Sequence, residues 1–487
     1  MSGADLWTLA PLIIPALAGT LVMLLGGFNV DRRLHPGLAV GALAAALLCV
    51  GMAHGTAPRT VTPLLIIDSY ALFFLAVIYV ATGLLAMFAR PYLAVRKQDT
   101  DAFYALLLFA ATGMGVLACS NHFAALFLGL EILTVSLYTL IGYLREDSRS
   151  LEAAAKYLVL AALSSSFLLF GIALVYAATG TLLLNPAFRA IADLAPQFGQ
   201  QAEAAWALAG GIFLFVGFAF KLALVPFHMW SPDVYQGAPA PVTALIATGS
   251  KGAVLAVLLR AVGPVGLGEM SGAAGITVLA VLTMFGGNLL ALLQDDLKRL
   301  LAYSSVAHLG YVMVALLAGG VAGAEAMTFY VLAYVMTTLG AFGVVMILSS
   351  ESPHEADSLA AYRGIGRRRP WLAATLAVMI LSLAGIPPTA GFLAKVLVLG
   401  AAIEAGRLGL AIAMALASGV AIYFYLRVIV VMYMQEEEST LEASSRPASL
   451  ANAVALVALV ALVIAVGLHP TPWFEAVRVA VAAILPV

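Results

Sequence analysis

The chain has 487 residues, 63% of them hydrophobic and only 10% charged, with a mean hydropathy of +1.04. Such a composition lies outside the range of soluble domains, and a net charge of −1 excludes the basic surface of a nucleic-acid binder. The two cysteines, Cys49 and Cys119, lie in or beside apolar runs and point to neither a disulfide framework nor a metal site.

A bilayer core about 30 Å thick takes roughly 20 apolar residues per helix. The chain supplies such runs one after another, without the alternating segments of a membrane barrel. The expected fold class is therefore all-α and polytopic. The N-terminal MSGADLW lacks the basic region and cleavage site of a signal peptide, so the first apolar run reads as the first span. Fourteen spans are expected, at roughly 6–27, 36–55, 63–89, 102–119, 122–143, 153–178, 205–227, 240–262, 272–293, 299–318, 324–349, 371–402, 405–434 and 449–468. Trp7, Trp206, Trp371 and Trp473 fall at or just beyond span ends, and Trp230 sits just past another, as interfacial anchors do.

Placing both termini outside puts Arg32, Arg33, Arg90, Arg96, Lys97, Arg145, Arg149, Lys298, Arg299, Arg363, Arg367, Arg368, Arg369 and Arg446 on the inner side. The outer side receives Arg59, Arg189, Arg260, Arg407 and Arg478. This asymmetry is a positive-inside pattern and supports an even number of spans.

Five cations remain, all within spans: Lys156, Lys221, Lys251, Lys395 and Arg427. Glu131 joins them, in the fifth run "LFLGLEILTVSLYTL", as the one acid deep in a span. A charge at a helix centre costs about 2.5–3.5 kcal/mol on insertion scales, so each needs a partner, water or a function. Lys156 and Arg427 lie near the inner ends of their spans and can snorkel to the headgroups. Lys221, Lys251 and Lys395 are deeper. A static ion pair could explain one of them, but Glu131 cannot neutralise three. Buried Glu and Lys at membrane depth are the ordinary parts of a proton relay.

Two spans are interrupted by proline. The seventh, "FLFVGFAFKLALVPFHMW", sets Lys221 before Pro226 and His228 just after it; the twelfth, "LSLAGIPPTAGFLAKVLVL", sets Pro387 and Pro388 before Lys395. Proline removes a donor and frees a carbonyl, so each helix should open there, and paired interrupted spans point to the core of an inverted-repeat transporter. Spans four to eight and nine to thirteen make two five-helix sets, with the breaks in equivalent places. Because five is odd, the second set starts from the opposite face. The expected organisation is 1–100 for three N-terminal helices, 101–263 for the first repeat, 264–434 for the inverted repeat and 435–487 for helix fourteen with its tail. In the second set the counterpart of Glu131 falls in "LLAYSSVAHLGYVMVALL", where His308 lies at similar depth, on the line between Lys251 and Lys395. A histidine there among Ser304, Ser305 and Tyr311 is equally compatible with hydrogen-bonded structure.

Three stretches resemble the antiporter-like membrane subunits of respiratory complex I: "SLEAAAKYLVLAALSSSFLLFGIALVYAATG", "FKLALVPFHMWSPDVYQGAPAPVTALIATGSKGAVLAVLLR" and "NLLALLQDDLKRLLAYSSVAHLGYVM". The resemblance runs over nearly the whole chain. It implies that Glu131 is the family's fifth-helix glutamate and Lys221 the lysine paired with it. It likewise implies that Lys251 is the central lysine, Lys395 the lysine near the outer exit, His228 and His308 polar links, and Lys156 a lysine of less settled role. It implies proton translocation driven by quinone reduction elsewhere, no cofactor in this chain, and partners among the small and antiporter-like membrane subunits of a bacterial inner-membrane complex. Of the family's types, the one with a long lateral C-terminal helix is not matched by "PWFEAVRVAVAAILPV", and the one with a glutamate at the twelfth-helix site is not matched by Lys395. Gly129, two residues before Glu131, is smaller than the family pattern leads one to expect.

Two other functions compete. A subunit of a multisubunit cation/proton antiporter would share this core. An organic-substrate carrier would instead cluster donors and acceptors around a midplane cavity, whereas here isolated ionisable groups are strung along the chain. Sodium coupling would require several oxygen ligands at one depth, and only Glu131 is evident.

Overall fold

The structure, a computed structural model, describes residues 3–28, 31, 33–263, 265–352, 354–434 and 449–485. Arg32, Arg446 and the start of the 435–487 segment lie outside the described residues. Two helices, α1 (Gly3–Gly27) and α2 (Leu34–Ala53), lead to a short antiparallel hairpin of β1 (Arg59–Val61) and β2 (Leu65–Ile67). Then follow α3 (Ser69–Val95), α4 (Asp101–Cys119), α5 (Phe123–Ile141), α6 (Ser148–Thr179), a short amphipathic α7 (Leu184–Leu194) and α8 (Ala202–Leu222). A short α9 (Trp230–Gly237) follows, and the eighth span then runs on through α10 (Ala240–Leu245), a π turn (Ile246–Ser250) and α11 (Lys251–Val262). The second half holds α12 (Ala273–Leu292), α13 (Leu297–Ala318), α14 (Gly320–Ser349), α15 (Ile365–Arg368), α16 (Pro370–Ala384), α17 (Ala390–Glu404), α18 (Leu408–Tyr433), α19 (Leu450–Leu468) and α20 (Thr471–Ala482).

Among the described residues thirteen helical stretches are long and apolar enough to cross a membrane. The twelfth expected span, 371–402, appears as α16 and α17 with a break between them. Every expected span thus has a helical counterpart. The break in the seventh span comes earlier than Pro226 alone suggests. Helix α8 ends at Leu222, and Ala223 takes a left-handed conformation at φ 56°.

Burial sorts the helices. The 240–262 and 297–318 stretches are wholly enclosed by protein and 320–349 nearly so, while only about a quarter to a third of α1, α2 and α6 is enclosed. Lipid gives helices no hydrophobic reason to associate, so close backbone packing must help. Gly113 and Gly129 provide it where α4 crosses α5: a Cβ on Gly129 would stand 3.1 Å from the Gly113 carbonyl, and one on Gly113 only 2.7 Å from Leu133 N. The small residue before Glu131 therefore admits a neighbouring helix backbone.

Candidate functional site: a buried line of ionisable groups

The central group is Lys251, 1% exposed, on the first residue after the π turn. Such turns widen a helix and recur at functional sites. Its ammonium donates to Ser305 Oγ at 2.6 Å, and Ser305 also accepts from Tyr334 Oη at 2.7 Å. Lys251 Nζ lies 5.5 Å from the centre of the Tyr235 ring, whose hydroxyl is 3.5 Å from Ser305. The lysine is thus held by a hydroxyl and aromatic faces, without a carboxylate.

One turn along α13, His308 Nδ1 is 2.6 Å from Tyr330 Oη and Nε2 is 3.0 Å from Tyr425 Oη, which in turn meets Ser304 Oγ. Tyr311 and Tyr334 flank the imidazole, with ring centres 5.5 and 5.3 Å away. A cavity of about 10 Å³ separates Lys251 from His308, with Tyr330 and Tyr334 in its wall, about the minimum size for one water. Imidazole and hydroxyl groups both donate and accept, so a proton can pass through such a string by reorientation.

Lys395 lies beyond, 6% exposed, past the second break. Its ammonium donates to Ala384 O at 2.8 Å, a carbonyl freed where α16 stops, and to Ser418 Oγ at 2.8 Å. It also sits 5.3 Å from the Tyr311 ring centre. Gly385, at φ 82°, is required here, because a Cβ would come within 2.7 Å of Lys395 Cδ. The break thus makes both the acceptor and the room for the lysine.

In the first half, Lys221 (9% exposed) donates to Thr134 Oγ1 at 2.6 Å, and Glu131 accepts from Ser165 Oγ at 2.6 Å. Glu131 and Thr134 are three residues apart on α5, so one helix presents an acceptor to each of two partners. Among the described residues no direct ion pair joins Glu131 to Lys221; each is held by a hydroxyl instead. His228 is 7% exposed, with neither ring nitrogen in hydrogen-bond geometry, and its ring centre lies 6.5 Å from that of Tyr303.

Lys156 stands apart. Its side chain is 43% exposed and ion-paired with Asp233 at 2.7 Å and Glu152 at 2.8 Å, and Asp233 also binds Arg299 at 2.9 Å. Arg427 likewise reaches the backbone carbonyls of Leu292 and Gln294 at the end of α12. Both cations sit at the arginine-rich face, away from the buried line.

Several groups were not legible beforehand. Tyr330, Tyr334 and Tyr425 carry no formal charge and look like ordinary apolar-span residues. Arg260, counted among the outer-loop cations, is instead 3% exposed within α11 and makes a bidentate pair with Asp68 at 2.6 and 2.8 Å. Asp68 also caps α3 by accepting from Ala71 N at 2.8 Å, and it is more fully enclosed than Glu131, which is only partly buried. Lys298, counted as an inner-loop cation, is 0% exposed and donates to Glu355 Oε2 at 2.9 Å. Glu355 lies in the loop after α14. Burial opposes its ionisation, yet the Lys298 ammonium and Arg96 guanidinium outweigh burial and hold its carboxyl below the usual glutamate range. The spacing of Asp68 from Arg260 carried no signal, since 192 residues separate the pair. Among the described residues no group of three or more His, Cys, Asp or Glu side chains converges as a metal site would.

The geometry defines a class: a helical membrane protein with several hydrogen-bonded clusters of ionisable and hydroxyl groups set along its core. Residues 120–421 match the family described as NADH:quinone oxidoreductase/Mrp antiporter, TM, and the chain belongs to that family. It is 42% identical over 484 residues to NADH-quinone oxidoreductase subunit N of Chromohalobacter salexigens, covering 98% of this chain and 99% of the relative. It is 43% identical over 482 residues to the protein of the same name from Ectopseudomonas mendocina, covering 96% and 95%. A chain in the structure of respiratory complex I from Thermus thermophilus with bound aureothin superposes with a TM-score of 0.82 at 35% identity, over 96% of this chain and 99% of that one. A chain of the Mrp complex from Dietzia sp. shares the fold, with a TM-score of 0.83 at 21% identity over 100% and 98%.

Proposed function

We propose that this chain is a proton-translocating membrane subunit of an NADH:quinone oxidoreductase, of the subunit N type for which its curated relatives are named. The observation that carries the reading is the Lys251–Ser305–Tyr334 and His308–Tyr425–Ser304 hydrogen bonding between two deep lysines, in a chain so similar to those relatives over its whole length. Glu131 and Lys221 act at one end, Lys251 at the centre and Lys395 at the other end, with His308 as the link. His228, buried just past Pro226, is the link between Lys221 and the central group. Lys156 serves the arginine-rich surface.

Redox chemistry and quinone reduction belong to other subunits, and this chain holds no cofactor. Its neighbours are a further antiporter-like subunit and small membrane subunits, in a bacterial inner membrane with both termini outside. The segments 101–263 and 264–434 act as two inverted halves, flanked by 1–100 and 435–487. A cation/proton antiporter subunit is the competing reading, and it rests on a shared fold at 21% identity.

The test is the proton-to-electron ratio of the assembled complex in proteoliposomes carrying Lys251→Ala or Lys395→Ala. Each variant should lose this subunit's share of pumping. A wild-type ratio in both would remove the relay from these residues.

A further inference from the structure

The arginine-rich face contains a cavity of about 630 Å³, walled by Arg96, Gln236, Gly237, His354, Glu355 and Asp357 among others. Glu355 forms part of its lining, with a side chain 15% exposed, whereas its partner Lys298 is wholly enclosed. The two oxygens of this carboxylate reach different helices. Oε2 takes the Lys298 ammonium, on the second residue of α13. Oε1 takes the Tyr92 hydroxyl of α3 and, at 3.3 Å, the backbone N–H of Ala240, the first residue of α10. Lys298 Nζ then closes the cluster on Ala238 O at 2.7 Å.

These two helix starts lead to the buried line. Ser305 lies seven residues beyond Lys298, about two turns along α13. Lys251 follows Ala240 on the enclosed 240–262 stretch, just past the π turn. Between them stands α9, with Gln236 and Gly237 in the cavity wall and Tyr235 reaching Ser305. One carboxylate therefore ties together the ends of the two helices whose side chains meet at the Lys251–Ser305 hydrogen bond. It does so where a polar cavity approaches them from the arginine-rich face.

We propose that Glu355 and Lys298 are the positioning pair of the Lys251 site, setting the spacing of α10 and α13 and keeping the cavity closed from Ser305 and Lys251. The inference rests on the reading of Lys251 as a relay group. Neither residue of the pair touches the proton in transit. The pair acts through Ser305 and the π turn, so its loss loosens the central site and leaves the Lys395 end intact.

The experiment uses the assembled complex with Glu355→Gln, which keeps the side-chain shape and an acceptor for Tyr92 and Ala240 but removes the charge. Glu355→Asp and the double variant Lys298→Met/Glu355→Met accompany it. Hydrogen exchange of backbone amides is followed in peptides spanning 240–250 and 297–305, with 390–404 as the internal control. Glu355→Gln should speed exchange in the first two by at least about tenfold, the factor that follows from losing a charge-assisted hydrogen bond, and leave the control unchanged. The proton-to-electron ratio should fall with it, and Glu355→Asp should restore part of both. If Glu355→Gln does not assemble, the double variant decides: it removes the Lys298 and Glu355 charges together, while Arg96, 3.9 Å from Glu355 Oε1, keeps its hydrogen bonds to the Tyr92 and Ser349 carbonyls; it should assemble, exchange faster and pump less. Wild-type exchange and pumping in Glu355→Gln overturn the proposal. So does failure of both variants to assemble, which makes the pair a folding element only. Lys251→Ala is run beside them. If it pumps normally, the relay reading has failed; if it loses pumping while Glu355→Gln does not, only the positioning role has failed.

Discussion

Replacing Asp68 by Asn tests whether the C-terminal end of α11 is held by a dry ion pair. Asp68 and Arg260 side chains are 2% and 3% exposed, with oxygen-to-nitrogen distances of 2.6 and 2.8 Å. Breaking such a buried pair from one side costs about 3–5 kcal/mol, because it strands the other charge. Asn retains the oxygen that caps α3 at Ala71, so the cap, worth about 1 kcal/mol, stays out of the difference. Arg260 also keeps a longer contact to Ala118 O at 3.4 Å, which places the expected loss for Asp68→Asn near the lower end, about 3 kcal/mol. Arg260→Met strands the carboxylate and should cost a similar amount, about 3–5 kcal/mol. The double variant strands neither charge, so it should be more stable than the sum of the single losses implies, by at least about 2 kcal/mol. Unfolding of the purified chain in mixed micelles, titrated with sodium dodecyl sulfate, measures all three. A single loss under about 1 kcal/mol, or losses that simply add, would mean that water reaches the pair and that it does not anchor α11.

The other expectations concern the line itself and its surroundings. Glu131→Gln should keep assembly and the Ser165 hydrogen bond yet lower the proton-to-electron ratio; a wild-type ratio would make Glu131 structural only. Lys156→Ala should be milder than Lys251→Ala in the same pumping assay, since Lys156 is 43% exposed and paired with Asp233 and Glu152. Equal damage would place Lys156 in the relay. Gly385→Ala should reduce pumping nearly as much as Lys395→Ala, because the added Cβ meets Lys395 Cδ at 2.7 Å on a backbone at φ 82°. Unaltered pumping would show that the lysine position is not critical. The depressed carboxyl of Glu355 contributes stability above the unfolded glutamate value of about 4.3 and loses it as pH falls through the lower folded value. The gap in thermal midpoint between wild type and Glu355→Gln should therefore be open at neutral pH and close on acidification; a gap that widens toward low pH would contradict this sign.

What the sequence determined by itself follows from the cost of polar groups in lipid. A charge in an apolar run is conspicuous because hydrocarbon makes it expensive, so Glu131, Lys221, Lys251 and Lys395 stood out one at a time. A proline in such a run is equally visible, and both breaks appear close to where Pro226 and Pro387–Pro388 place them. The number of crossings follows from apolar length alone. Pairing does not, because it depends on which helices become neighbours. Arg260 reads as an outer-loop cation and Lys298 as one more inner-face charge, and only packing encloses them with partners far away in the chain. Tyrosine and serine are cheap enough in lipid to raise no alarm, so the cage of Tyr330, Tyr334 and Tyr425 around His308 emerged only from the crossing of α13, α14 and α18. The same holds for Glu131 and Lys221: their types were legible, but only the tertiary contacts decided that Ser165 and Thr134, rather than each other, are their immediate partners. Local chemistry is written residue by residue in the chain, whereas a proton path is a property of distances between helices.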